Sequence, residues 1–335
     1  MRIATYNVEW FNNLFDDEAR LMEDDGWSAR RDVTRARQAQ AIATVLGAMD
    51  ADAVMVIEAP DSNRRRDGVA ALEGFARRFG LRTRAAVMGF VNDTQQEIAL
   101  LYDPAVVTPR HAPHASDAVP RFDASYRIDL DVDRAPETIS WSKPPLELEV
   151  TTAAGTMLKL IGVHAKSKAP HGATTPDEVM RISIANRRKQ LAQCIWLRRR
   201  VEELLDLGES LIVMGDFNDG PGLDEYEKLF GRSGIEILLG EEGEGRLFDP
   251  HARALLTKRP GVALPTSARF KVPPDGRYLT AMLDYVMVSR DLLNHGPRWL
   301  IWHPFEDPDC YADAELRQAL LDASDHFPVS IDLAI

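Results

Sequence analysis

The chain is predicted to fold as an α/β protein. Short apolar runs alternate with stretches of helical spacing, and several of the runs begin or end at a polar residue. A buried strand that delivers polar groups to one sheet edge is a common way to build a site in this class. Strands are expected at 2–8, 53–57, 83–89, 97–102, 145–151, 157–164, 211–215, 283–288, 298–302 and 328–333, and helices at 32–49, 67–79, 176–206, 223–230 and 312–321. The first strand runs into Asn7, the second into Glu58, and the strand at 157–164 ends on His164. Glu97 and Asp284 border the starts of their runs. Residues 176–206 give the clearest helix: Thr175 caps it, Pro176 suits its first turn, Glu178 completes a capping box and Gly208 lies past its end. In Leu211-Ile-Val-Met-Gly215, four apolar residues and a glycine precede Asp216, Asn218 and Asp219, and a second polar tip, Ser324-Asp325-His326, precedes the last strand.

The 335 residues suit one large α/β domain, and no linker divides them. Two segments, 104–144 and 240–280, read as long connections able to carry binding surface. The net charge of −12 repels polyanions at long range, so a phosphoester substrate would need a local positive field. Two cysteines cannot make a disulfide framework, and no basic segment followed by an apolar run opens the sequence. The expected compartment is therefore the cytoplasm, with no membrane span and no obligate protein partner.

The ordered set Thr5-Tyr6-Asn7-Val8-Glu9, Val56-Ile57-Glu58, Glu97 through Asp103, Gly162-Val163-His164-Ala165-Lys166-Ser167, Gly215-Asp216-Phe217-Asn218, Leu283-Asp284-Tyr285 and Ser324-Asp325-His326-Phe327-Pro328-Val329 resembles the endonuclease/exonuclease/phosphatase (DNase I-like) superfamily, in its bacterial nuclease-like branch. The resemblance reaches from the first strand to the last. It implies a four-layer sandwich, two mixed β-sheets packed face to face and flanked by helices, with the site at one end.

Hard oxygen donors in this set suit Mg²⁺ or Mn²⁺, with Glu58 as the direct carboxylate ligand, helped by Asn7 and Asp325. Zinc is disfavoured, because no pair of His or Cys sits at zinc spacing. By family correspondence His326 pairs with Asp284 and His164 with Glu97. A carboxylate partner favours the protonated imidazole. Asp216 is the candidate for orienting or deprotonating the attacking water, and Asn218 for donating to a phosphoryl oxygen. Lys166, Lys168 and Arg64 are candidate substrate contacts, and Lys143 is a further cation of the same kind.

Weaker readings stand beside these. Asn7 could simply cap a turn, and Glu97 could be an edge-strand charge. Arg187-Arg188-Lys189 and Arg198-Arg199-Arg200 read as a solvated helix face, and His111 and His114 as loop residues. The leading function is a divalent-metal-dependent phosphodiesterase with nucleic acid as the first substrate class. Its rivals are a phosphatase or phosphodiesterase for a small organic phosphate or lipid headgroup, and an inactive binding scaffold on the same fold.

Overall fold

The computed structural model describes residues 1–335 apart from 93, 129–136, 171, 222–229, 244, 258–262 and 273–275. The first sheet holds β1 (Arg2–Asn7), β2 (Ala53–Ala59), β3 (Ala85–Met88), β4 (Glu97–Tyr102), β14 (Arg298–Ile301) and β15 (Val329–Asp332), in the order β14-β15-β1-β2-β4-β3. The second holds β5 (Val107–His111), β8 (Leu146–Thr152), β9 (Met157–His164), β10 (Leu211–Asp216) and β13 (Asp284–Val288), in the order β13-β10-β9-β8-β5. Both sheets are mixed: β1 with β2 and β9 with β10 are parallel, and the other pairs are antiparallel.

Side-chain alternation explains the layering. On β2, Met55 and Ile57 point into a core shared with Leu148, Leu160, Ile212, Met214 and Val286 of the second sheet. Val54 and Val56 point the other way, onto α1 (Arg35–Met49) and α2 (Gly68–Phe79). On β10, Val213 turns outward to meet Trp196, Leu197 and Val201 of α3 (Pro176–Asp206). The result is helix, sheet, sheet, helix. The sheets meet closely at Gly162, where an added Cβ would lie 2.4 Å from Met55 Sδ.

The helix signals resolve as local chemistry. Thr175 and Glu178 form the capping box of α3. Thr34 accepts from Arg37 N, so α1 starts at Arg35 rather than at 32. Asp313 caps the last helix, Ala314–Ala323, and a short helix, Pro308–Ala312, precedes it. The helix expected at 223–230 lies outside the described residues except for Phe230.

The two supposed connections are corrected by the structure. Residues 104–144 contain β5 and the hairpin β6 (Ser125–Ile128) with β7 (Glu137–Ser140). Residues 240–280 contain a helix, Pro250–Thr257, and most of the hairpin β11 (Ala268–Val272) with β12 (Arg277–Ala281). Their polar alternation and turn residues hid strands that give the cores few residues: Val107 enters the inter-sheet core, and Ile128 and Ile139 enter the cluster beneath α3. Among the described residues no helix is long and apolar enough to cross a membrane.

Asp249, at the start of the Pro250–Thr257 helix, is fully buried and accepts from Ala252 N (2.8 Å) and Val286 N (3.1 Å). Burial nevertheless pushes its pKa up to about 7. A folded pKa above the unfolded one means a contribution that is complete below about pH 4 and lost as pH rises through 7. Asp249→Asn removes the titrating group. The unfolding free energy of the variant relative to wild type should therefore rise by about 1.4 kcal/mol per pH unit across that window. Denaturant titrations at pH 4.5, 6 and 7.5 test this, and a pH-independent difference contradicts it.

Candidate active site

The parallel pairs set the location. Residues Asn7 and Ile57 are register partners at the ends of β1 and β2, and Glu58 follows. Across the second sheet Asp216 is the register partner of both His164 and Asp284. The chain then returns through Ser324-Asp325-His326 into β15, which pairs with β1. Polar residues from both sheets thus meet at one end of the sandwich.

Glu58 sits where the β2–β4 register shifts between Ile57 and Ala59, with φ 63. A bulge of this kind re-aims a side chain. The carboxylate accepts from Trp10 N at 3.2 Å, and burial raises its pKa. Trp10 (φ 56) and Asn218 (φ 50) share the left-handed backbone. Non-glycine residues held there cost about 1–3 kcal/mol each, and such strain clusters at functional sites.

Asp216 is buried and densely held. It accepts from Asn7 Nδ2 (3.1 Å), Asn218 N (2.8 Å) and Asn218 Nδ2 (3.0 Å). Burial still pushes its pKa up to about 7. The second amide hydrogen of Asn218 goes to Ala165 O at 3.2 Å. With both hydrogens engaged, the donation to a phosphoryl oxygen expected of Asn218 is not available in this arrangement, and its visible work is to orient Asp216.

His326 Nδ1 lies 2.8 Å from Asp284 Oδ2, the pair the family correspondence implied. Burial pulls the imidazole pKa down, but the Asp284, Asp216 and Asp325 carboxylates outweigh it and hold the pKa well above its ordinary value. Ser267 Oγ donates to the same Asp284 oxygen at 2.8 Å and accepts from Leu283 N and Asp284 N. Ser324 Oγ donates to Asn7 O and accepts from His326 N, which ties the first strand to the last tip.

The expected His164–Glu97 pair is absent. Glu97 accepts from Asn92 N (3.1 Å) and Asn92 Nδ2 (2.6 Å) in its own loop, and burial pushes its pKa up to about 7. The partner of His164 is Lys143, whose Nζ lies 3.2 Å from its ring nitrogens, while Asp216 Oδ2 is 3.6 Å and Glu58 Oε1 4.0 Å away. Burial first, then Lys143, drives the His164 pKa well below its ordinary value. Burial and the Lys143 charge thus favour the neutral ring, not the protonated imidazole expected from a carboxylate partner.

The cation candidates divide. Lys143 is half-buried beside His164, and the loss of solvent lowers its pKa. Lys166 is half-buried at the same tip, its N–H bound to Gln193 Oε1 and its carbonyl to Gln190 Nε2. Lys168 is turned onto the buried Asp219 at 2.7 Å, beside Arg187 at 2.6 Å, so its ammonium is engaged in an ion pair. Arg64 is exposed, and no contact among the described residues ties it to the site. Its neighbours are spent on structure: Arg65 on Asp17, Arg66 on Asp61.

Three contributors escaped the sequence reading. Glu9 lies against Arg30 and accumulates negative charge with Asp325 and Glu58; burial, then Asp325, push its pKa up to about 7. Its signal was its place two residues after Asn7 on the first tip. Ser267 lay in a presumed connection. Gln190 Nε2, inside α3, reaches Lys166 O, Phe217 O and Asn218 O and so fastens two tips together, with nothing local to announce it.

These donors fit a hard divalent cation. Asn7 Oδ1 is buried with no hydrogen-bond partner among the described residues, and Glu58, Asp325 and Glu9 crowd their charges beside it. Asp216, Asp284 and His326 also bring ligand atoms within 4.8 Å of one another. There, however, the imidazolium already supplies the positive charge between the carboxylates.

The family model described as Endonuclease/Exonuclease/phosphatase family matches residues 4–326. No curated protein is similar enough to count as a match. Among solved structures, truncated TDP2 from Caenorhabditis elegans aligns with a TM-score of 0.51 at 14% identity, covering 98% of this chain and 96% of that one. A mannosyl-6-phosphatase from Bacteroides thetaiotaomicron aligns at 0.51 and 15% identity over 100% of both chains. An endonuclease/exonuclease/phosphatase family protein from the same organism aligns at 0.50 and 13%, covering 99% and 96%. At these identities the structural likeness speaks for the fold, and the sequence match over nearly the whole length speaks for descent. The chain belongs to the endonuclease/exonuclease/phosphatase family, a family of metal-dependent phosphoester hydrolases.

Proposed function

We propose that this chain, working as one domain over residues 1–335, is a Mg²⁺- or Mn²⁺-dependent phosphodiesterase of the nuclease type, with nucleic acid as its leading substrate class. The observation that carries the reading is the meeting of an oriented carboxylate, Asp216, with a charged imidazole, His326, beside the oxygen donors of Asn7 and Glu58. Glu58, Asn7 Oδ1 and Asp325 would hold the cation. When bound, it supplies Lewis-acid polarisation of a phosphoryl oxygen.

The remaining steps belong to the chain's own groups. Asp216, fixed by Asn7 and Asn218, orients the attacking water and accepts its proton; a pKa near 7 suits a base working near neutrality. His326, kept charged by Asp284, donates to a phosphoryl oxygen as negative charge grows there. Lys143 and Lys166 add positive charge that the chain as a whole lacks, and His164 orients Lys143. Neither Glu97, Lys168 nor Arg64 takes a direct part.

The test begins with protein stripped by EDTA. Mg²⁺ or Mn²⁺ should restore hydrolysis of single-stranded DNA, duplex DNA, RNA or a small aryl phosphodiester. Glu58→Gln should weaken Mn²⁺ binding by about ten-fold or more in calorimetry. Hydrolysis that persists in EDTA, or a Glu58→Gln protein that binds Mn²⁺ as wild type does, would sink the assignment.

A further inference from the structure

The β11–β12 hairpin is fastened to the site through its backbone. Arg269 N donates to Asp325 O at 2.7 Å, Phe327 N donates to Ser267 O at 2.6 Å, and Ala268 bridges to His326. Ser267, one residue before the hairpin, is the hydroxyl that holds Asp284. Whatever the hairpin binds is therefore held beside Asp325 and His326.

Its two faces differ by strand alternation. Ala268, Phe270 and Ala281 face inward and pack with Leu283. Arg269 and Lys271 lie on the other face, with Lys271 directly across from Tyr278. The Arg269 guanidinium stacks over Tyr278 with its carbon 3.5 Å from the ring centroid, and lies 5.3 Å from the centroid of Phe305. Lys271 Nζ is 5.4 Å from the Tyr278 centroid. Tyr278 is 51% exposed and Phe305 46%. Among the described residues no carboxylate comes within ion-pair distance of Arg269 or Lys271, on a chain whose net charge is −12.

We propose that this hairpin face, with Phe305, holds unpaired nucleotides of the substrate strand next to the scissile phosphate. Charge complementarity selects the occupant. Exposed rings offer stacking faces that any base can use, and the interleaved cations neutralise the phosphates between bases. Residues 269 and 271 are about 6.6 Å apart along their strand, a step suited to following an extended phosphate backbone. The inference rests on the phosphodiesterase reading and deepens it: the enzyme takes its substrate as a single strand, against the repulsion of its own acidic surface.

The test separates the two. Fluorescence anisotropy with a labelled twelve-residue oligothymidylate, in EDTA, measures binding without turnover. Tyr278→Ala and Phe305→Ala should each weaken binding by at least about five-fold. Lys271→Ala should reduce the slope of log affinity against log salt by about 0.7. All three variants should hydrolyse methyl p-nitrophenyl phosphate within two-fold of wild type, because that diester is too short to reach the hairpin. Wild-type binding by all three variants would overturn the proposal. So would variants that keep the oligonucleotide but lose binding to phosphatidylglycerol vesicles, which would make the face a lipid-docking surface. A wild type that binds the strand through these residues yet hydrolyses neither substrate would leave this inference standing and remove the phosphodiesterase reading.

Discussion

His326→Ala is expected to lower kcat/KM toward a phosphodiester by about 10²- to 10⁴-fold, the range of a lost general-acid or charge-stabilising group. The expectation comes from the geometry around one proton. Asp284 Oδ2 holds Nδ1 at 2.8 Å, and Asp216 and Asp325 add negative charge that keeps the ring cationic despite its burial. A cation formed in advance costs no reorganisation when charge develops on the phosphoryl oxygens. Asp284→Asn should act in the same direction, since an amide does not hold an imidazolium as a carboxylate does. Mn²⁺ affinity separates the roles: His326→Ala should keep it, whereas Glu58→Gln should lose it. Unfolding midpoints measured in parallel show whether a loss is merely one of folded protein. If His326→Ala retains wild-type kcat/KM, or loses Mn²⁺ as Glu58→Gln does, the imidazole is a structural group or a ligand and the assigned role is wrong.

The parts of this site that sequence foretold share a physical character. Asn7, Glu58, Asp216 and His326 each adjoin an apolar run, and strand pairing then dictates that they converge. The four-layer architecture came from the family resemblance: the unbroken apolar runs of β2 and β10 mark strands buried on both faces, and only the structure divides their side chains between the inter-sheet core and the helices. Side-chain direction was not legible. Glu97 occupies the expected strand end, but its own loop captures it through Asn92, and His164 takes an ammonium from 21 residues upstream instead. Lys168 is likewise drawn to Asp219, a choice made by burial that no local pattern records. Ser267 and the β11–β12 hairpin were hidden in a segment read as a connection. Their inward face is only a small cluster, Ala268, Phe270, Ala281 and Leu283, and so carries little hydrophobic signal.

Gly215→Ala should cost about 3 kcal/mol or more of stability and remove most activity. Gly215 has φ 141, a conformation that L side chains rarely adopt, and strain of that sort costs about 1–3 kcal/mol. An added Cβ would also lie 2.0 Å from Val163 O and 2.8 Å from Val163 N. Those atoms are backbone of the paired strand, since Gly215 and Val163 are register partners, so no side chain can rotate away. Overpacking adds about 1–3 kcal/mol. The relief available is to push β10 away from β9, and the next register pair along is Asp216 with His164. A shift of about 1 Å there can cost about 10² in rate, even in the fraction that stays folded. Gly208→Ala provides the contrast: its φ is 76, but nothing lies within 4 Å of the added Cβ, so strain alone should lower stability, with kcat unchanged. Denaturant unfolding and kcat measured for both variants decide the matter. Equal losses of stability at the two positions, or a soluble Gly215→Ala enzyme with wild-type kcat, would mean that the approach of β10 to β9 does not hold Asp216 in place.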